Sequence, residues 1–241
     1  MLIISAGLQK SGSALIFNIL NDILKEKYDS DTRNLKSKYG LDEVLKYFNC
    51  NVEDLSWRKI KPLFWLSRRY TFVIKTHSSP TGVIKLLHRI GMVKTILIIR
   101  DPRDVTVSAM DHGMRLRVEG RTDAFASCTS LQATLPEVKS WIRKITPWLT
   151  CNQIMIIKYE DLINQQKTVL RSIFSFLGIF PDEQLIEVLY KRYDPIKPDI
   201  SVRNHLHYNK AIIGRFREVL TSVEQELITK ELENEMLLLG Y

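Results

Sequence analysis

At 241 residues, 45% hydrophobic and 26% charged, the chain is long enough to bury a full core in one domain and too apolar to be disordered. Its net charge of +8 points to an anionic partner, yet no zinc-finger spacing, RNA-binding aromatic signature or long basic run accompanies it, so nucleic acid is not expected. Apolar runs far short of the roughly 20 residues of a transmembrane helix, and three widely spaced cysteines, Cys50, Cys128 and Cys151, argue for a cytoplasmic protein with reduced thiols and no zinc site.

Met1 leads straight into Leu2-Ile3-Ile4 rather than into a basic segment followed by an apolar stretch, so these residues are not expected to act as a leader. That run reads as a buried parallel strand, and Leu15, Ile16, Ile19, Leu20, Ile23 and Leu24 follow at helical spacing. Between them lie Gly7, Lys10, Ser11, Gly12 and Ser13, a loop able to turn backbone N–H groups toward an anion at a helix N-terminus. Gly7 and Gly12 have the spacing of a nucleotide-binding P-loop, but Ser13 and Ala14 stand where that motif has lysine and the hydroxyl that holds Mg²⁺. A metal-dependent NTPase is disfavoured, and with Lys10, Lys75 and helix N–H groups available to offset charge in a transfer reaction, no metal is expected to be needed.

Residues 28–38 are polar and aperiodic and suggest a loop over the site. Leu41, Val44, Leu45 and Phe48 suggest a short amphipathic helix, and Trp57, Phe64 and Trp65, set among basic residues, suggest core anchors. Residues 71–77 form the second expected strand and place Lys75 and His77 at its C-terminal end, the edge where open α/β sheets bind ligands. Residues 94–99 form the third, followed by Arg100 and by Asp101 as cap of a helix with Pro102 at its first position, running to about Gly113. Arg100 presents a planar fork for phosphate, and Ser108, about two turns along, adds a hydroxyl. Arg103 and Asp104 read as an ordinary ion-paired helix start.

Residues 115–130 suggest a mobile loop and residues 135–149 a helix that Pro147 shortens. The fourth strand, 153–159, ends on Tyr159, and one long helix runs from Leu162 to Leu177, stopped by Gly178. Residues 182–190 suggest a further helix, and 193–210, broken by Pro195 and Pro198, an irregular lid. His205 and His207 lack a third metal ligand. A packing helix spans 222–239. The whole reads as an α/β single domain, a central parallel sheet flanked by helices in a P-loop-like three-layer sandwich.

The segments 8–13, 75–77, 99–108 and 158–162, with the ending Leu239-Gly240-Tyr241, resemble in type and order the cytosolic sulfotransferases that use 3′-phosphoadenosine 5′-phosphosulfate (PAPS) and release the 3′,5′-bisphosphate (PAP). The resemblance covers the chain as one sulfotransferase domain, 1–241. It implies that Lys10, Ser11, Gly12 and Ser13 cradle the 5′-phosphosulfate, that Arg100 and Ser108 hold the 3′-phosphate, and that Tyr159 contacts the adenine. His77 would be the general base, with Lys10 and Lys75 stabilising the leaving phosphate and His112 as the substitute base.

The family's late motif Arg-Lys-Gly-x-x-Gly-x-Trp falls on residues 209–216, where only Lys210 and Gly214 match. Asn209 and Ala211 replace an arginine and a glycine, with Arg203 and Arg217 near enough to compensate, and Ala14 and Leu15 replace a threonine and a tryptophan. The implied acceptor is a small molecule carrying a hydroxyl or, less often, an amine. Its identity and the oligomeric state stay open. An atypical P-loop nucleotide kinase and a non-enzymatic basic module for anionic polymers or membrane surfaces remain as alternatives. The regions expected to line the acceptor pocket are 28–40, 115–130 and 193–210.

Overall fold

The structure is a computed structural model and describes residues 1–122, 124–194, 199 and 212–241. Four strands, β1 (Leu2–Gly7), β2 (Phe72–Thr76), β3 (Val93–Ile99) and β4 (Ile154–Lys158), pair in parallel in the order β2-β1-β3-β4. The central strand β1 is buried along its whole length, which is why it reads as an unbroken apolar run rather than an alternating one. From β1 the chain moves to one neighbour, β2, and then crosses back over β1 to β3. This reversal of direction opens a crevice at the carboxyl ends of β1 and β3.

Helices flank the sheet. α1 (Ser13–Tyr28) and α2 (Thr32–Lys38) pack on β2, α3 (Trp57–Ser67) on β1 and α4 (Gly82–Arg89) on β3. α5 (Pro102–Val118) and α6 (Leu131–Ile145) lie against each other. α7 (Tyr159–Asn164), α8 (Gln166–Leu177) and α9 (Glu183–Arg192) follow β4, and the chain closes with the helices Ser222–Glu231 and Glu233–Leu239. The α/β class, the parallel sheet and the flanking helices are those expected.

Several elements differ from the sequence reading. Residues 28–38 are not a loop over the site: Asp31 caps α2 through Arg33 N–H, and Thr32 Oγ1 bonds the Val73 carbonyl at 2.8 Å, anchoring the helix to β2. No stripe announces this helix because only Thr32 and Leu35 are buried. The helix expected over 41–48 is instead a series of turns. Tyr47 and Cys50 take φ of 58° and 46°, and Lys46 bridges Asn51 as the chain reverses. α3 is a regular helix that buries Ile60 and Leu63 while leaving Trp57 and Trp65 exposed at 42% and 53%, so these indoles are not core anchors.

α5 runs beyond Gly113 to Val118 and takes in the start of the expected mobile loop. Ser130 caps α6 four residues early, and at Pro147 the α-helix gives way to a 3₁₀ turn, Thr146–Thr150. The expected long helix after β4 breaks at Gln165 (φ −133°, ψ 38°), and the last helix breaks at Leu232.

Candidate active site

All four strand ends deliver a residue to one cavity of about 520 Å³: Lys10 after β1, His77 after β2, Arg100 after β3 and Tyr159 after β4. Among the described residues, this cavity gathers Lys10, Gly12, Ser13, Lys75, His77, Arg100, Ser108 and Tyr159, every sequence candidate except Ser11 and Lys210. Lys210, Asn209, Ala211, Arg203, His205 and His207 lie outside the described residues.

The loop is shaped by its own polar groups. Lys10 sits at φ 64°, and Gly12, the α1 N-cap, at φ 85°, where a Cβ would lie 2.8 Å from the Tyr159 ring. Only glycine fits both the left-handed backbone and that ring. Ser11 is fully buried, its hydroxyl donating to the Leu8 carbonyl at 2.5 Å with the Ile98 carbonyl at 3.3 Å, so it pins the loop to β3 rather than facing the cavity. Ser13, at the first turn of α1, faces the cavity with the helix N–H groups beneath it.

Arg100 is nearly buried and stacks 4.3 Å from the Tyr159 ring centroid. Its guanidinium reaches the carbonyls of Ile212 (2.9 Å) and Lys10 (3.4 Å) and the Asp104 carboxylate (3.4 Å), while its Nε N–H has no partner among the described residues. Ser108 joins it along α5. Burial, then the charges of Arg115 and Arg100, lower the Lys10 pKa to about 8.

Lys75 and His77 line the cavity from the end of β2. His77 Nδ1 lies 2.6 Å from the Gly7 carbonyl, which can only accept, so Nδ1 bears the proton and Nε2 the lone pair. Lys75 Nζ donates to that Nε2 at 2.7 Å. Desolvation lowers the Lys75 pKa to about 8, and desolvation with the Lys75 charge lowers that of His77 to about 3. The free site therefore holds a neutral imidazole with its basic nitrogen turned to the lysine.

Residues 2–221 match the family described as the sulfotransferase domain. The chain belongs to the sulfotransferase family. It is 21% identical over 187 residues to the 3-beta-hydroxysteroid sulfotransferase of Cavia porcellus, covering 70% of this chain and 63% of that protein. It is 27% identical over 127 residues to Sulfotransferase 2A2 of Rattus norvegicus, covering 50% and 44%. The chain thus spans about half to two thirds of the length of these curated relatives. Mouse sulfotransferase SULT7A1 complexed with PAP superposes with a TM-score of 0.65 at 15% identity, covering 98% of this chain and 84% of that one. Retinol dehydratase in complex with androsterone and PAP gives 0.59 at 14%, covering 98% and 80%. These structures share the sulfotransferase fold.

The residues of the site fit a bisphosphate nucleotide. One cavity brings together a glycine-shaped loop at a helix N-terminus, two lysines, an arginine with a spare N–H, and the Tyr159 ring on which that arginine stacks. Ala14 and Leu15 also line the cavity, so the missing threonine and tryptophan are missing from its wall.

The sequence reading missed several residues. Asp104 is no ordinary ion-paired surface residue. It is 1% exposed and accepts from Gly214 N–H (2.7 Å) and Phe216 N–H (3.1 Å) while facing Arg100, whereas Arg103 pairs with Asp101. Arg215, not Arg217, reaches the cavity and pairs with Asp111, and Arg217 stacks on Phe216. His112 lies within α5 and lines the same cavity. Residues 28–40 contribute nothing to the wall. The segment 47–53 does, through Tyr47, Asn49, Asn51 and Glu53. Its signal was strict alternation, Asn49-Cys50-Asn51-Val52-Glu53, with Cys50 and Val52 buried.

Proposed function

We propose that this chain transfers the sulfuryl group of PAPS to a hydroxyl or amine of a small-molecule acceptor, with His77 as general base. The observation that carries the reading is the pairing of Lys75 Nζ with His77 Nε2 at 2.7 Å, in the cavity that the glycine-shaped loop also lines. Lys10, Gly12, Ser13 and the α1 N-terminus would hold the 5′-phosphosulfate, Arg100 and Ser108 the 3′-phosphate, and Tyr159 the adenine. Ser11 supports this cradle from below.

PAPS supplies an activated sulfur. As the acceptor oxygen forms its bond to sulfur, the bond from sulfur to the bridging phosphate oxygen breaks, the acceptor proton passes to His77 Nε2, and PAP departs. Negative charge grows on the bridging oxygen, so fixed cations there lower the barrier. Lys10 and Lys75 are those cations. An anionic donor beside Lys75 draws its ammonium away from Nε2 and raises the His77 pKa, freeing and strengthening the base when it is needed.

His77→Ala tests the assignment: turnover falls by roughly 10²–10⁴ with PAP binding retained. A variant turning over at near wild-type rate would move the base to His112.

A further inference from the structure

The wall beyond His77 is polar where a sterol would need it apolar. Residues 50–52 run beside β2: Lys75 N–H bonds the Cys50 carbonyl at 3.2 Å and Val52 N–H the Lys75 carbonyl at 2.8 Å. Cys50 and Val52 pack into the core, while Asn49, Asn51 and Glu53 line the cavity. Ser78 Oγ, just past His77, donates to the Glu53 carbonyl and locks that register next to the base.

These side chains have unused capacity. The amide oxygens of Asn51 and Gln9 are buried without a partner among the described residues, and buried acceptors left unpaired are costly. A second cavity of about 400 Å³ shares Gln9, Asn51, Glu53 and His77 with the first and continues along Ser78 and Ser79 to Lys144. The same cavity is lined by aromatic rings, His112 against Phe125 (centroids 5.0 Å apart) and Phe125 against Trp141 (5.3 Å). A cavity that holds both aromatic rings and a set of amides with a carboxylate suits a ring edged with hydroxyls: the ring body covers apolar surface and the edge supplies donors.

We infer that the acceptor is a polyhydroxylated, sugar-like molecule rather than a sterol, and that Glu53 favours one bearing a protonated amine. This rests on the sulfotransferase reading, which places the acceptor hydroxyl at His77. A sterol would offer no partners to the amides and the carboxylate that line this cavity, and a site built to bond a polar substrate rejects an analogue that lacks the groups.

The test is saturation-transfer NMR on the wild-type protein saturated with PAP, using cellobiose, the corresponding glucosamine disaccharide and a 3β-hydroxysteroid as probes. Both sugars are expected to show saturation transfer and the steroid none. The glucosamine disaccharide is expected to bind about two- to fivefold more tightly than cellobiose, the range of an exposed ion pair, with the difference erased in Glu53→Gln and both sugars weakened in Asn51→Leu. Binding of the steroid with displacement of the sugars, or no binding of either sugar, would overturn the inference. Absence of a PAP-induced melting shift in the same sample would instead count against the sulfotransferase reading.

Discussion

Asp104 ties the proposed phosphate-binding arginine to the C-terminal segment, and its replacement tests whether that tie is real. In Asp104→Asn one carboxylate oxygen becomes an NH₂ donor facing either the Phe216 N–H, in place of Oδ1, or the Gly214 N–H and Arg100 together, in place of Oδ2, all of them donors themselves. The 2.7 Å bond to Gly214 N–H or the 3.1 Å bond to Phe216 N–H is then lost, and Arg100, nearly buried, loses the charge 3.4 Å away. A charge-assisted bond contributes roughly 1.5–3 kcal/mol and an orphaned buried donor costs a further 1–3 kcal/mol, so the loss should be about 3–5 kcal/mol. That is a large part of the roughly 5–15 kcal/mol that stabilises a domain. Urea unfolding followed by tryptophan fluorescence measures it, and a PAP titration of the folded fraction should show weakened binding. A loss under about 1 kcal/mol with unchanged PAP affinity would refute the reasoning.

Gly12→Ala forces a Cβ to 2.8 Å from the Tyr159 ring at φ 85°. Left-handed strain of roughly 1–2 kcal/mol and overpacking of about 1–3 kcal/mol should lower the melting temperature and abolish PAP binding; a variant that binds PAP normally would contradict the cradle. PAP binding should take up protons above about pH 8. Lys10 and Lys75 titrate near 8 in the free site because burial disfavours their charged forms, and bound phosphates raise both values again. Affinity therefore falls as pH rises through 8 and beyond, and calorimetry at pH 8.5 in two buffers of different ionisation enthalpy should report uptake that is absent at pH 6.

The strands and their ends were legible because parallel strands buried on both faces, as β1 and β2 are, read as short apolar runs, and the chain just after each run falls on the ligand edge. Lys10, His77, Arg100 and Tyr159 were found that way. Asp104 was not, because the carboxylate of an Arg-Asp pair looks alike whether it faces water or the N–H groups of a segment 110 residues later. α2 was hidden by its polarity, held by Thr32 and Asn21 through bonds to distant backbone that no periodicity marks. The exposure of Trp57 and Trp65 depends on which face of α3 meets β1, and apolar character alone does not choose the face. Asn49, Asn51 and Glu53 did show their alternation, but the leucines just before them, at helical spacing, suggested an element that left-handed turns at Tyr47 and Cys50 cut short.

The central claim is that this cavity recognises a nucleotide by its 3′-phosphate, through Arg100 and Ser108. The most direct measurement is the melting temperature of the protein with PAP, with 5′-AMP and with ATP plus Mg²⁺. A ligand at about 100 times its dissociation constant adds roughly 2.7 kcal/mol of stability. The account predicts that PAP alone gives such a shift and that 5′-AMP, lacking the 3′-phosphate, gives little. Stabilisation by ATP with Mg²⁺ in preference to PAP, or an equal shift with 5′-AMP, would contradict it.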